Sequence, residues 1–290
     1  MKKRNWIWIL LILLTLGVFF GYRALDAIRT DKRPPEIRMD GTVPEISVKD
    51  PKSAMTVGIT ATDWESGDVT DSLVVENITL LNSDGTVSVS YAAFDAAGNV
   101  AKGQREMKFR DYRSPRFTLK QPLIYRQGQN FDVLSNIGAE DLLDGDIQHR
   151  VRATILGDGN LSQTGTHVVR FQVTNSLGDT HTQNLPVEII EEDLYDADME
   201  LTSYLVYMPR GSTYNPESYL ESFTRQGRRM DLTGGLPARY VLQTKGQVQT
   251  QNPGIYSVDF TVTYTEVNEK NPAASREYVA HSKQIVIVEG

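Results

Sequence analysis

The sequence predicts an all-β protein, a row of tandem β-sandwiches following one N-terminal transmembrane helix. Three observations carry this. An uncharged apolar run, Asn5–Tyr22, lies between Arg4 and Arg23. Behind it, one alternating strand pattern recurs three times. Proline entrances and glycine turns recur at matching places in the first two copies.

As a helix, Asn5–Tyr22 would be about 27 Å long at ~1.5 Å per residue, enough to cross the hydrocarbon core of a bilayer. A helix satisfies its own backbone hydrogen bonds in lipid. Trp6, Trp8 and Tyr22 stand near its ends, where amphipathic rings favour the membrane–water boundary. Lys2, Lys3 and Arg4 before such a run also describe a cleavable secretory signal. The length of the run and the lack of an Ala-x-Ala site after it favour an uncleaved signal-anchor. Basic residues flank the run on both sides, so charge alone does not orient it. The character of the following segment favours a cytoplasmic N-terminus and extracellular C-terminal domains.

Residues 1–33 carry a net charge of +5, which leaves −12 on the remainder of a chain whose total is −7. An acidic ectodomain excludes nucleic acid as an expected partner, since phosphate neutralisation needs a basic face. It also weighs against electrostatic docking on anionic lipid. The chain has no cysteine, which removes disulfides, thiolate metal sites and cysteine nucleophiles together.

After a charged neck, Arg33-Pro34-Pro35 opens the first sandwich, and Arg113-Ser114-Pro115 opens the second eighty residues later. The spacing divides the chain into 1–33 (cytoplasmic tip, anchor and neck), 34–111, 112–192 and 193–290. The repeat is clearest in Val87–Asn99, His167–Asp179 and Tyr256–Tyr264. In the third copy Tyr256, Val258, Phe260, Val262 and Tyr264 fall on one face, with polar residues between them. Gly98-Asn99 and Gly178-Asp179 supply turns into a last strand. Those last strands are expected at Met107–Phe109, Leu185–Ile190 and Gln284–Val288. Gly165 and Gly254 mark equivalent turns. The acidic run Glu191-Glu192-Asp193, with Asp196 and Asp198, separates the second unit from the third. Asn215-Pro216-Glu217 reads as a helix start, predicting a short helix through Phe223.

The motif set is Pro-rich opening, Asp144-Gly-Asp-Ile147, a Gly-Thr turn, an alternating aromatic strand and Asp95-x-x-Gly98-Asn99. It resembles bacterial immunoglobulin-like cell-surface repeats, of the type also found with pesticidal crystal proteins and close in style to hyalin repeats. The first unit departs with Glu65-Ser-Gly-Asp68, and the second has Asn175 and Asp179 where the first has Asp95 and Asn99. The third lacks both motifs and has Asn268-Glu-Lys-Asn-Pro-Ala instead of the turn. The resemblance implies immunoglobulin-like sandwiches that act as spacers or binding elements, and it fixes no ligand.

Acidic residues cluster in two loops. Asp63, Glu65, Asp68 and Asp71 mark the first unit; Glu140, Asp141, Asp144 and Asp146 mark the second. Within these, Asp63, Glu65, Asp68, Asp141, Asp144 and Asp146 are calcium candidates, calcium being a hard cation that takes several oxygens. The competing reading makes them solvated turn residues bonded to local backbone, which the absence of such acids from the third unit favours. No other cofactor is expected. His149, His167, His181 and His281 form no His-x-x-x-His pair, and no nucleophile elbow, phosphate loop or metalloprotease helix occurs.

The expectation is therefore a non-catalytic, single-pass protein of a bacterial cell membrane, Gram-positive by preference. It would serve as a surface stalk or adhesion module for an extracellular protein or glycan. Tyr204, Tyr207, Tyr214 and Tyr219 in the third unit read either as a contact surface or as ordinary core. Two alternatives remain open. One is an accessory subunit of an envelope complex, packing through Gly17 and Gly21, which are four apart. The other is a carbohydrate-binding or carbohydrate-processing surface protein. No sorting motif is seen near Gly290, so attachment is expected to rest on the N-terminal helix.

Overall fold

The computed structural model describes residues 2–29, 31–79, 82–157, 160–191, 195–270 and 274–290. Glu192 and Asp193 of the acidic separator, and Asn271–Ala273 of the third unit's long turn, lie outside them. The helix α1 (Lys2–Arg29) precedes the strands. Its window Trp8–Leu25 has a mean hydropathy of 2.0, and none of it is buried against the rest of the chain.

The first sandwich comprises β1 (Glu36–Met39), β2 (Glu45–Ile46), β3 (Ile59–Asp63), β4 (Gly67–Asp68), β5 (Val74–Thr79), β6 (Thr86–Phe94) and β7 (Val100–Phe109). The second comprises β8 (Arg116–Leu119), β9 (Ile124–Arg126), β10 (Ile137–Asp141), β11 (Gly145–Asp146), β12 (Arg152–Ile155), β13 (Gly165–Thr174) and β14 (Thr180–Ile190). The third comprises β15 (Asp198–Leu201), β16 (Leu205–Pro209), β17 (Leu220–Arg225), β18 (Arg228–Asp231), β19 (Tyr240–Lys245), β20 (Gly254–Glu266) and β21 (Arg276–Glu289).

All three share one topology. A three-stranded sheet (β1-β3-β4, β8-β10-β11, β15-β17-β18) faces a four-stranded one (β2-β7-β6-β5, β9-β14-β13-β12, β16-β21-β20-β19). In each, the second strand pairs in parallel with the last, and the other pairings are antiparallel. This is a set of immunoglobulin-like β-sandwiches behind one apolar helix. Each long hairpin turns its apolar alternate residues inward. Tyr91, Phe171 and Phe260 occupy the same place in the repeat and are fully buried. The first copy uses tyrosine because its core is partly polar. The Tyr91 hydroxyl donates to Met55 O at 2.8 Å, and the buried Arg105 donates to Met55 O and Val57 O.

Two expectations change in detail. The last strands begin seven or more residues before their predicted apolar stretches in the first and third copies, because their outer halves are polar yet still paired. The helix at Asn215 is one 3₁₀ turn, Pro216–Tyr219, whose cap Asn215 accepts from Glu217 N. Leu220 and Phe223 then continue as a core strand, since burying both on one sheet face outweighs the helical start.

The chain divides into two compact units, residues 1–112 and 113–290. Inside the second, the two sandwiches share apolar packing. Leu205, Ile285 and Ile287 of the third sandwich join Phe117, Phe171 and Leu185 of the second in one buried cluster. Phe117 N donates to the Tyr207 hydroxyl at 3.1 Å. The Arg116 guanidinium lies 4.9 Å over the Tyr207 ring and pairs with Glu289. Burial pushes the Tyr207 hydroxyl up to about 12. Tyr204 is buried, and Tyr214 donates to Gln284 Oε1 at 2.7 Å while stacking on Tyr219. Tyr204, Tyr207 and Tyr214 are therefore core and junction residues, while Tyr219 stays half-buried beside Tyr214.

Candidate functional site

The acids marked by the sequence do two different jobs. Asp63 Oδ1 accepts from Glu65 N and Ser66 N at 2.9 and 2.7 Å, and Asp141 Oδ1 accepts from Leu143 N and Asp144 N at 2.9 and 3.0 Å. Asp68 and Asp146 each accept from a backbone N–H two residues on, at 2.9 Å. Asp144 takes an ion pair from Arg150 at 2.6 Å and bonds from Ser176 N and Oγ. These are the local turn bonds of the competing reading. Glu65 and Glu140 are exposed. The backbone N–H of Ser66 leads the causes that hold the Asp63 carboxyl below the usual range.

Asp63 nevertheless belongs to a second group, one the sequence did not mark. Among the described residues, Asp31, Asp63 and Asp95 form the cluster of three carboxylates whose oxygens lie within 4.8 Å of one another. Asp31 Oδ2 is shielded from solvent and has no hydrogen-bond donor. Asp95 is held from the other side by Asn99 N and Nδ2, both at 2.7 Å. Asn99 Nδ2 also donates to Asp31 O and Arg33 O, tying the neck to the β6–β7 turn.

The second sandwich resolves the same corner differently. Asn175 replaces Asp95 and donates to Asp141 Oδ2 at 3.3 Å. Asp111, the counterpart of Asp31, accepts from Ser47 Oγ and Val48 N instead. A hard cation with ligands at about 2.3–2.6 Å fits among oxygens as close as those of the first sandwich. Asp31, Asp63 and Asp95 are thus the residues brought close enough to hold calcium together; Asp63 is the member of this group that the sequence also singles out.

An Asp31→Asn variant tests whether the three carboxylates repel one another. Its amide would donate toward Asp63 and Asp95, as Asn175 does toward Asp141. Hydrogen bonds to charged groups contribute about 1.5–3 kcal/mol. In chelator, the thermal midpoint of the first unit is expected to rise by several degrees and to lose any response to calcium. A midpoint that is unchanged or lower would show that the three carboxylates do not strain one another.

The second unit holds a cleft where its two sandwiches meet. Two adjoining hollows of about 540 and 590 Å³ share Ile124, Ile190, Tyr195 and His281 in their walls. Tyr195 stacks on His281 with ring centroids 5.0 Å apart and planes inclined by 15°. Lys283, mostly buried, pairs with Glu188 of the second sandwich, and with Asp259 of the third at 3.2 Å. His281 Nε2 lies 3.8 Å from Asp259. Burial acts to lower the Lys283 pKa, but Glu188 and Asp259 outweigh it and hold the ammonium above its usual range. The neighbouring His281 ring, followed by the Lys283 charge, holds the Asp259 carboxyl low. Tyr125, Arg126, Gln129 and Glu200 extend the wall. An aromatic lip above carboxylate, amide and guanidinium groups suits a polar ligand with a flat apolar face.

No protein-family model matches the chain, and no curated protein does. Solved structures similar to it include the CBM51-2 and INT domains of Clostridium perfringens ZmpB, in complex with GlcNAc (19% identity, 51% of this chain and 26% of that one, TM-score 0.22). Others are a protocadherin GammaB4 extracellular domain (12%, 89% and 50%, 0.19) and the lipoprotein BT2262 of Bacteroides thetaiotaomicron (15%, 57% and 80%, 0.22). The chain spans about a quarter of the first and half of the second. Likenesses at this level say nothing about ligand or activity.

Proposed function

We propose that this chain is a membrane-anchored, non-catalytic surface protein whose helix holds the sandwiches outside a bacterial cell. The observation that carries the reading is α1. Its apolar window is exposed on every side, an arrangement that is costly in water and satisfied by lipid. Protease added to intact cells is expected to remove the sandwiches and leave a helix-sized fragment. Protection in intact cells, with digestion only after lysis, would invert the topology. A mature N-terminus beyond Tyr22 would replace the anchor with a cleaved signal.

A saccharide ligand in the cleft is a second reading, favoured by the Tyr195–His281 stack over charged and amide groups. Full-length protein in detergent is expected to bind a subset of glycans on an array, and Tyr195→Ala to abolish that binding. Turnover of any glycan would overturn the non-catalytic assignment.

A further inference from the structure

We propose that the end of the first sandwich nearest α1 rests on the bilayer, with Trp64 seated in the phospholipid headgroup layer. The proposal rests on the reading of α1 as a membrane span and adds a second, peripheral contact to it.

Trp64 follows Asp63 in the β3–β4 turn and is 85% exposed. Phe94 and Val100 are direct cross-strand partners at the same end of the sandwich and are 40% and 42% exposed. That end is fixed near the helix, because Asp31 lies beside Asp63 and Asp95, and Asn99 holds the backbone of Asp31 and Arg33.

The reach is short. Seven residues lead from Tyr22, where the uncharged run ends, to Arg29, where α1 ends, a rise of about 10 Å. Two more residues to Asp31 add at most about 7 Å. The Asp31–Asp63–Asp95 cluster, which adjoins Trp64 through Asp63, therefore lies at most about 17 Å from the end of the uncharged run, and the polar layer beyond the hydrocarbon edge is ~5–8 Å deep. An indole reaching toward the membrane spans much of what remains. Its ring prefers that layer to either bulk phase.

The chain supplies its own control. In the second sandwich, which does not adjoin the helix in sequence, the corresponding positions are Leu142, Thr174 and Thr180. There the two threonine hydroxyls hydrogen-bond each other at 2.8 Å and face water. Tryptophan and an exposed Phe–Val pair thus replace leucine and a Thr–Thr pair in the copy next to the membrane helix. Lys32 and Arg33, both exposed in the neck, would complement lipid phosphates.

The chain has three tryptophans, so the W6F/W8F variant leaves Trp64 as its sole indole. The full-length variant is reconstituted into phosphatidylcholine–phosphatidylglycerol vesicles, some containing lipid brominated near the top of its acyl chains. Flotation after an alkaline wash reports whether α1 is inserted. Emission of Trp64 is expected at shorter wavelength than in water and to lose about half its intensity to brominated lipid, an effect confined to groups at membrane depth. Protein that floats while Trp64 emits as in water, quenched by acrylamide and not by brominated lipid, would overturn the docking and leave the anchor standing. Protein that does not float would remove both.

Discussion

Full-length protein carrying Lys283→Met is expected to lose about 2–4 kcal/mol of stability in the unit spanning residues 113–290. Removing one member of a buried ionic group leaves the others uncompensated, and this site keeps some contact with water, which trims the cost. The methionine fills similar volume, so the loss would be electrostatic. Glu188 and Asp259 would then face each other without the ammonium that joins them. Adding Glu188→Gln and Asp259→Asn should recover most of the loss in the triple variant. Denaturant midpoints measure both, and failure of the triple variant to recover would assign the loss to packing.

The same residues set a pH window. The Lys283 pKa is raised in the folded state, so its contribution is full below its ordinary 10.5 and is lost as pH rises through the higher folded value. Asp259 is depressed, so its contribution is full above its ordinary 3.8 and is lost as pH falls through the lower folded value. His181 narrows the acidic side. Burial, beside the Phe117 ring at 5.5 Å, pushes its imidazole below the ordinary 6.5. Its buried Nε2 has no partner. Stability is therefore full above pH 6.5 and declines as pH falls from there through the folded value. The unit's midpoint should be flat from about pH 6.5 to 10 and fall on either side. The acid limb should move lower in His181→Phe.

Ile285→Ala is expected to cost about 2–5 kcal/mol, the range for emptying a well-packed aliphatic site. Ile285 is almost fully buried in the cluster to which both sandwiches of this unit contribute. Its loss should loosen second and third sandwiches together, so both halves of the unit would exchange amide hydrogens faster. Ile255→Ala, on the exposed side of the neighbouring strand, is the comparison and should stay within about 0.5 kcal/mol. Faster exchange in the third sandwich alone would mean that the shared cluster does not couple them.

The sandwiches were legible because period-two alternation is a local property. Val258, Phe260 and Val262 declare a half-buried strand without knowledge of what they pack on. The 3₁₀ turn at Pro216 was legible as a start but not in length, because Leu220 and Phe223 answer to a sheet far away in sequence. Asp31 was hidden among the charges of the neck. Its trace is there: Asp31-x-Arg33-x-Pro35 recurs as Asp111-x-Arg113-x-Pro115 at the eighty-residue spacing of the repeat. The cleft left no such trace. Tyr195 meets His281, and Glu188 meets Lys283, only after two strand registers and one sandwich junction are fixed.

The parallel pairing of second and last strands has a mechanical meaning. Traction applied along a sandwich between its two ends would load those hydrogen bonds side by side, in shear, rather than opening them one after another like a zip. The paired stretch is two residues in the first sandwich, three in the second and five in the third. If the chain is pulled from its two ends, the first sandwich, with the shortest parallel pairing, is expected to yield before the other two.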